Sequence, residues 1–383
     1  MRVLVATTNL APAHGSATAA AGNAVRLVVE VLGSHVSGTV IAPAADGQPK
    51  RERAGGLEVR RVRPRRPQAG LADAMHGAGA VRALATSAAM VGAVRRELSR
   101  GGYDVVHAFW AFPAGFAAVW PSVKVPVVLS APGSDVHIWS SKRVVSTALS
   151  RAAQVAVHSA EAVEQARRAG ASSVVQVPVP IDPSVFGVRM RPPTEPVVAY
   201  AGRLTVDKGT DVLVDALRIL APRVEGLRFE CCGTGSDADR FTDAVRAILG
   251  PRTRFHGPLD PHGVAGVMSR ARVTVLPSFG EGMAAAALES LSVGRPVVTT
   301  EVGGHVGLVA RGGGRVVAPG DASALADALE LELRTNRDPA ELSALVTHCT
   351  PDAVAHRYLN MYARASTTPV RATIASLEGG IAR

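Results

Sequence analysis

Short β-branched runs alternate with helical stretches twice over in this chain, and a polar, proline-rich joint separates the two sets. Strands interleaved with helices specify parallel sheets covered on both faces, which constrains the fold more than any single motif. In the first set RVLVATT (2–8), VSGTVIAP (36–43), LEVRRVR (57–63), DVVHAFW (104–110), VPVVLSA (125–131) and QVAVHS (154–159) read as strands. Helical patterns fill 17–33, closed by Gly33, and also 79–99 and 159–169. The joint GVRMRPPTEP spans 187–196. A second set follows: PVVAYAG (196–202), LRFECCG (227–233), TRFHGPL (253–259), ARVTVLP (271–277), PVVTT (296–300) and RVVAP (315–319).

The pattern predicts an α/β protein of two Rossmann-like, doubly wound domains, 1–186 and 197–350, whose parallel sheets face a central cleft. Ligands of such sheets bind outside the carboxyl ends of the strands. Residues 351–383 read as a final helix (351–365) and a tail. The helix is expected to pack back on the first domain, although its periodicity does not itself choose between the two.

Length agrees with this division, since 383 residues exceed one ordinary core. Hydrophobic residues at 47% and charged residues at 19% specify a globular chain. No apolar run reaches the roughly 18 residues of a membrane span, and the start MRVLVATTNLAP lacks the h-region of a signal peptide. Cys231, Cys232 and Cys349 cannot build a disulfide framework and read as buried residues of a reducing, cytoplasmic protein. Of the 42 basic residues only positions 50, 124, 142 and 208 are lysine. Bases concentrate in KRERAGGLEVRRVRPRRP (50–67), read either as a solvated loop and strand edge or as a patch for an anionic acceptor or lipid. Together with the amphipathic stretch 79–99, that patch is the basis for expecting peripheral membrane contact. Aromatics at 4% and the lack of a recognition motif argue against nucleic acid.

The chemistry concentrates in two stretches. In SFGEGMAAAALESLSVG a turn precedes a helix closed by Gly294, with Glu281 at the helix N-terminus and Glu289 nearly two turns in. Eight helical residues span about 12 Å, outside the roughly 5–9.5 Å of glycosidase carboxylate pairs. The pair is also too far apart to chelate one metal, but it can grip two ends of a long ligand with an anionic middle. Free N–H groups at the helix start suit a phosphate, and the small residues at 284–287 allow close approach. The blander reading is one capping and one exposed glutamate. In AGRLTVDKGTDVLVDAL (201–217), Arg203 and Lys208 flank a turn after a strand ending at Gly202. Two such cations can neutralise a diphosphate, unless they are ordinary surface bases.

GRLTVDKG, followed by PSFGEGMAAAALESLSVGRPVVTTEVGG, resembles the signature of the retaining GT-B glycosyltransferases of family 4. Glu281 through Glu289 matches that family's Glu-x7-Glu motif. MRVLVATTNLAPAHG, DVVHAFWAFPAG, LSAPGSDV and VPVPIDPSVF resemble its other motifs in order, so the likeness runs to about residue 365. The resemblance implies a nucleotide-diphosphate sugar donor, a UDP-sugar foremost, and a small-molecule, glycan or lipid-linked acceptor, with no cofactor and no metal. It implies that Arg203 and Lys208 hold the diphosphate, that Glu289 receives the ribose and that Glu281 contacts the donor sugar. Gly202, Gly282 and the backbone N–H groups of Met283, Ala284 and Ala285 fall in the donor site. Gly15 closes a loop over the phosphates, and the backbone near Leu259 meets the base. The implied chemistry is front-face attack, with the departing phosphate oxygen assisting deprotonation of the acceptor.

The chain departs from the family pattern at several points. Pro132-Gly133-Ser134-Asp135 stands where His-Gly-x-Asp is common, so the histidine near the sugar is missing. Val179-Pro180-Ile181-Asp182 replaces Asn-Gly-Val-Asp, and Met283 and Ala284 replace Phe and Gly. Acceptor candidates are Trp110, Asp135, His107 and His137, with the two histidines as possible general bases; core packing is the plainer reading for the aromatics and histidines. Asp237-Ala238-Asp239 reads as the first turn of a helix, not a metal site. Rival functions are a related sugar-nucleotide epimerase or phosphorylase, and a catalytically degenerate sugar-binding partner subunit. A phosphorylase needs a cofactor lysine, and Lys208, the only lysine of the C-terminal half, is already used.

Overall fold

The computed structural model describes residues 1–11, 20–44, 48–63, 80–120, 124–132, 136, 142–188 and 193–366. Its first domain is an eight-stranded sheet of order β3-β4-β2-β1-β5-β6-β7-β8. The strands are β1 (Arg2–Thr7), β2 (Ser37–Pro43), β3 (Arg51–Ala54), β4 (Leu57–Val62), β5 (Val105–Phe109), β6 (Val127–Ser130), β7 (Gln154–Val157) and β8 (Val174–Gln176). All neighbours run parallel except β3, which pairs antiparallel with β4 at the edge. The second domain is a six-stranded parallel sheet of order β11-β10-β9-β12-β13-β14. Its strands are β9 (Val197–Ala201), β10 (Arg228–Cys232), β11 (Thr253–Phe255), β12 (Val273–Leu276), β13 (Val297–Thr300) and β14 (Gly314–Val317). The longer helices are α1 (Ala20–His35), α2 (Ala80–Ser99), α3 (Arg143–Arg151), α4 (Ala160–Arg168), α5 (Thr210–Leu220), α6 (Ala238–Leu249), α7 (Pro261–Arg270), α8 (Ala285–Ser292), α9 (Ala322–Arg334) and α10 (Pro351–Ala365).

Each sheet carries a buried apolar cluster on both faces, as fully covered parallel strands require. In the second domain the strand order reverses between β9 and β12. The loops after these two strands carry Arg203–Lys208 and Ser278–Gly282, so the fold puts both sequence motifs at the switch point, where open α/β sheets bind ligands.

Several elements differ from the sequence reading. The helix expected to stop at Gly33 runs to His35. Gly33 instead lets the backbone of Gly55 and Gly56 pass, since a Cβ there would lie 2.5 Å from the Gly56 nitrogen. The charged run at 51–54 forms the edge strand β3, as the strand-edge reading of that stretch has it. Two bases of the patch are neutralised internally: buried Arg61 meets Glu52 at 2.6 Å and Arg60 meets Glu97 at 2.8 Å, while 64–67 lie outside the described residues. Ile181, Val185 and Phe186, assigned by sequence to the first domain, pack in the core of the second. Asp237 sits at the α6 start, where its carboxylate receives Thr210 Oγ1 and a two-pronged Arg240 contact.

After the second sheet the chain returns as α10. Its Val354, Ala355, Tyr358, Leu359, Met361 and Tyr362 join the core of the first domain. Beneath them Tyr362 Oη meets His107 Nδ1 at 2.6 Å, His107 Nε2 meets Ser130 Oγ at 2.9 Å, and Ser130 Oγ donates to Tyr358 Oη at 2.9 Å. Burial pushes His107 down to about 3, so the ring is neutral and the network needs each partner. Tyr362→Phe is expected to cost about 1–2 kcal/mol by leaving His107 Nδ1 without its donor. Urea unfolding measures this.

Candidate active site

Gly209 fixes the geometry of the site. It sits at φ 72°, and a Cβ there would lie 2.0 Å from the Pro277 carbonyl oxygen. This contact clamps the loop after β9 onto the loop after β12, and the Phe279 N–H donates to the Asp207 carbonyl at 3.0 Å beside it. Lys208 is thereby brought to Glu281, with Nζ 2.7 Å from Oε1 and 3.3 Å from the Gly280 carbonyl. Ser278 Oγ donates to the same Oε1 at 3.0 Å. Both members of the ion pair are largely withdrawn from solvent, at 15% and 17% side-chain exposure, so each depends on the other for its charge. One Lys208 N–H and Glu281 Oε2 have no protein partner among the described residues. Arg203, by contrast, is exposed and only loosely tied to Asp207, at 3.4 Å.

The α8 helix begins at Ala285, two residues later than the sequence suggested, because Met283 and Ala284 remain outside it and Ala284 is its extended N-cap. Glu289 therefore lies little more than one turn in, not two. The Ala284 N–H already donates to His305 Nδ1 at 3.4 Å. His305 is wholly buried and pushed down to about 4, hence neutral; its Nε2–H faces Thr299 Oγ1 at 3.0 Å. So Ala284 is not a free phosphate donor, a correction to the sequence reading. His305 instead holds the N-cap in place.

A cleft of about 770 Å³ runs between the domains. Among the expected site residues it is lined by Arg203, Lys208, Glu281, Gly282, Met283, Ala285 and Trp110. Gly202, Leu259, Ala284 and Glu289 do not line it. Glu289 is half-buried and stands near Cys232 at the end of β10, whose thiol is raised by burial and then by this carboxylate; the carboxylate itself has no hydrogen-bond or ion-pair partner among the described residues. Burial pushes it up to about 7. His107 was expected at the acceptor, but it is fully buried beneath α10 with both ring nitrogens taken, so the structure removes it from the site. Gly15, Asp135 and His137 lie outside the described residues.

The sequence reading missed His158, Glu161, His305 and Tyr358. His158 and Glu161 line the cleft just after β7. Their signal was present, because Ser159 caps α4 and so ends the strand before His158. The domains touch at Gly304, where an added Cβ would lie 2.7 Å from the His158 carbonyl oxygen and 2.8 Å from Met283 Cε.

Residues 195–334 match a family model described as glycosyl transferases group 1, and residues 9–182 match one described as glycosyl transferase 4-like domain. A putative teichuronic acid biosynthesis glycosyltransferase, TuaC, of Bacillus subtilis is 28% identical over 59% of this chain and 60% of its own length. The 2-deoxystreptamine N-acetyl-D-glucosaminyltransferase of Niallia circulans is 27% identical over 43% of this chain and 44% of its own. A D-inositol 3-phosphate glycosyltransferase of Corynebacterium aurimucosum is 34% identical over 45% and 44%. The chain thus spans between 44% and 60% of these relatives. Sucrose-phosphate synthase from Thermosynechococcus elongatus superposes with TM-score 0.73 at 21% identity, over 94% of this chain and 98% of that one. The trehalose-6-phosphate synthase OtsA superposes with TM-score 0.72 at 13% identity, over 94% and 99%. These structures share the two-domain GT-B fold.

Proposed function

We propose, from the match of residues 9–182 to the glycosyl transferase 4-like domain and of residues 195–334 to the group 1 glycosyl transferases, a retaining glycosyltransferase that takes its sugar from a uridine diphosphate sugar. The observation that carries the reading is the Lys208–Glu281 pair, held by the Gly209 clamp beside the start of α8. In the proposed reaction the bond between the anomeric carbon and the diphosphate oxygen breaks, and its electron pair stays on the phosphate. The acceptor hydroxyl forms the new bond on the same face and passes its proton to that departing oxygen. Lys208 and Arg203 offset the charge growing on the diphosphate, and the N–H of Ala285 at the helix start adds to them. Glu281 Oε2, its other oxygen fixed by Lys208 and Ser278, receives a donor-sugar hydroxyl. These cations supply the neutralisation for which other enzymes use a metal, so we propose a reaction that needs none; EDTA is expected to leave turnover unchanged.

Glu289 does not itself line the cleft but stands four residues beyond the cleft-lining Ala285 on the same face of α8, and on that placement it is assigned to the ribose. In the free protein its raised affinity for a proton means that stability falls as pH rises from about 4.5, the unfolded value, to about 7. Two ribose hydroxyls donating to it favour the ionised form. Binding of uridine diphosphate near pH 6 should therefore release a proton, seen as a buffer-dependent heat in calorimetry. The terminal phosphate also loses a proton on meeting the two cations, so Glu289→Gln should bind about tenfold more weakly and release fewer protons than the native protein. Equal proton release by the two proteins would contradict the assignment. No thermal stabilisation by any nucleoside diphosphate would contradict the function itself.

A further inference from the structure

The wall of the cleft contributed by the first domain differs in chemistry from the wall that faces it. Among the described residues the second domain supplies Arg203, Lys208, Asp207, Glu281 and Glu301, whereas the first supplies a single charge, Glu161, and no cation. The rest of the first-domain wall is mainly apolar, with Val25 and Val28 from α1, Phe109 and Trp110 after β5, and Pro132 after β6.

Two groups on this wall are set up for a ligand. Trp110 is the one non-glycine residue at positive φ among the described residues, at φ 69° and ψ 136°. Its N–H donates to the Ser130 carbonyl at 2.8 Å and its carbonyl accepts from the Gly115 N–H at 3.0 Å. These bonds maintain a backbone conformation that L-residues avoid, and they hold the indole at the cleft; strain of this kind concentrates at binding sites. The second group is His158. Its Nδ1 lies 2.7 Å from the Val177 carbonyl oxygen, which can only accept, so Nδ1 carries the proton. Burial lowers the basicity of the ring and keeps it neutral. Nε2 is then a lone-pair acceptor with no protein partner among the described residues, on a residue that lines the cleft. Only the thickness of Gly304 separates the His158 main chain from the Met283 side chain, two residues from Glu281. No other imidazole among the described residues lines the cleft.

We propose that this wall is the acceptor subsite for a hydroxyl compound that has a flat apolar face and no phosphate, the face lying on Trp110 and a hydroxyl donating its hydrogen bond to His158 Nε2. The inference rests on the transferase reading above and adds the acceptor class. Glu161 disfavours an anion here, and with no cation among the described residues of this wall a phosphate has no counter-charge in a largely apolar surround. An aromatic or aliphatic glycoside meets both requirements, because its apolar face stacks on the indole and its hydroxyl donates to Nε2.

The test uses the full chain saturated with uridine diphosphate and follows its melting temperature with two probes, nitrophenyl glucoside and a hexose phosphate, at equal concentration. The aryl glucoside is expected to raise the midpoint by about 2 °C or more, and the hexose phosphate to leave it unchanged. His158→Phe should lose the aryl glucoside shift, and His158→Gln, which restores an acceptor oxygen, should recover at least part of it. The shift from uridine diphosphate alone should be the same in all three proteins, which shows that the variants fold. A larger shift with the hexose phosphate, no shift with the aryl glucoside, or a shift retained in His158→Phe overturns the inference while leaving the donor site standing. Loss of the uridine diphosphate shift in the native protein overturns the donor reading and the inference with it.

Discussion

Lys208→Ala is expected to lower kcat by about 10²–10³, the typical cost of removing one preorganised charge donor from a reacting centre. Two effects combine. The diphosphate loses the cation that lies beside the start of α8, and Glu281 loses its fixed orientation. In the native protein Glu281 Oε1 accepts from both Lys208 and Ser278, which leaves Oε2 in one direction. With alanine at 208, only Ser278 remains to hold a carboxylate that is 17% exposed. Stability should fall by about 1–2 kcal/mol, the scale for losing a hydrogen bond to a charged group. Lys208→Arg keeps the charge but not the compact ammonium geometry, so it should recover only part of the rate. Steady-state kinetics at saturating donor separates the outcomes. An unchanged kcat with a raised KM would show that Lys208 binds donor and transition state equally.

Gly209→Ala is the larger structural perturbation. At φ 72° an alanine carries the left-handed penalty, and its Cβ would meet the Pro277 carbonyl oxygen at 2.0 Å. Neither side can yield cheaply, because Pro277 ends the strand segment leading into the Ser278–Gly282 loop. The expected loss is at least about 3 kcal/mol, with turnover falling as well because the clamp registers Lys208 against Glu281. Gly226→Ala is the control. Gly226 has the same φ of 72°, but a Cβ there meets nothing within 4 Å, so only the backbone penalty of about 1–2 kcal/mol should appear. Equal losses at the two positions would show that the clamp contributes nothing beyond backbone strain.

Much of the fold was legible because the relevant signals are local. Runs such as VVAYA and VVTT are buried on both sides and β-branched, so they announce parallel strands without help from distant residues. The misreadings share a cause: the deciding contact is remote in sequence. Gly33 resembles a helix stop, but its missing Cβ serves Gly55 and Gly56. The run RERA, by contrast, agrees with the strand edge read for this stretch, since its pairing with β4 makes it an edge strand, where charge is tolerated. The Nδ1 partner of His107, Tyr362, lies 255 residues away on α10, and its Nε2 partner Ser130 stands on the neighbouring strand β6, so nothing near it in sequence distinguished a buried structural ring from a catalytic one.

At the site, the motif residues Arg203, Lys208 and Glu281 could be found by sequence because strand ends place them at the switch point. Their mutual geometry could not, since it depends on one glycine packing against one carbonyl. Ala284 shows the same limit from the other side. Its N–H was a reasonable phosphate donor by position, and only the fold reveals that His305 has already taken it. The α8 start was misplaced for a related reason. An alanine run carries no stop signal, and the N-cap is set by His305, which sequence alone does not place next to Ala284.

We propose above that this cleft transfers a sugar from a nucleotide diphosphate with retention at the anomeric carbon. The most direct measurement is proton NMR of the hexose first released when the protein hydrolyses an α-linked uridine diphosphate hexose, read before mutarotation. The α-hexose appearing first, together with uridine diphosphate, is the result expected. The β-hexose appearing first would contradict retention, and release of no nucleoside diphosphate from any sugar nucleotide would contradict the transferase assignment altogether.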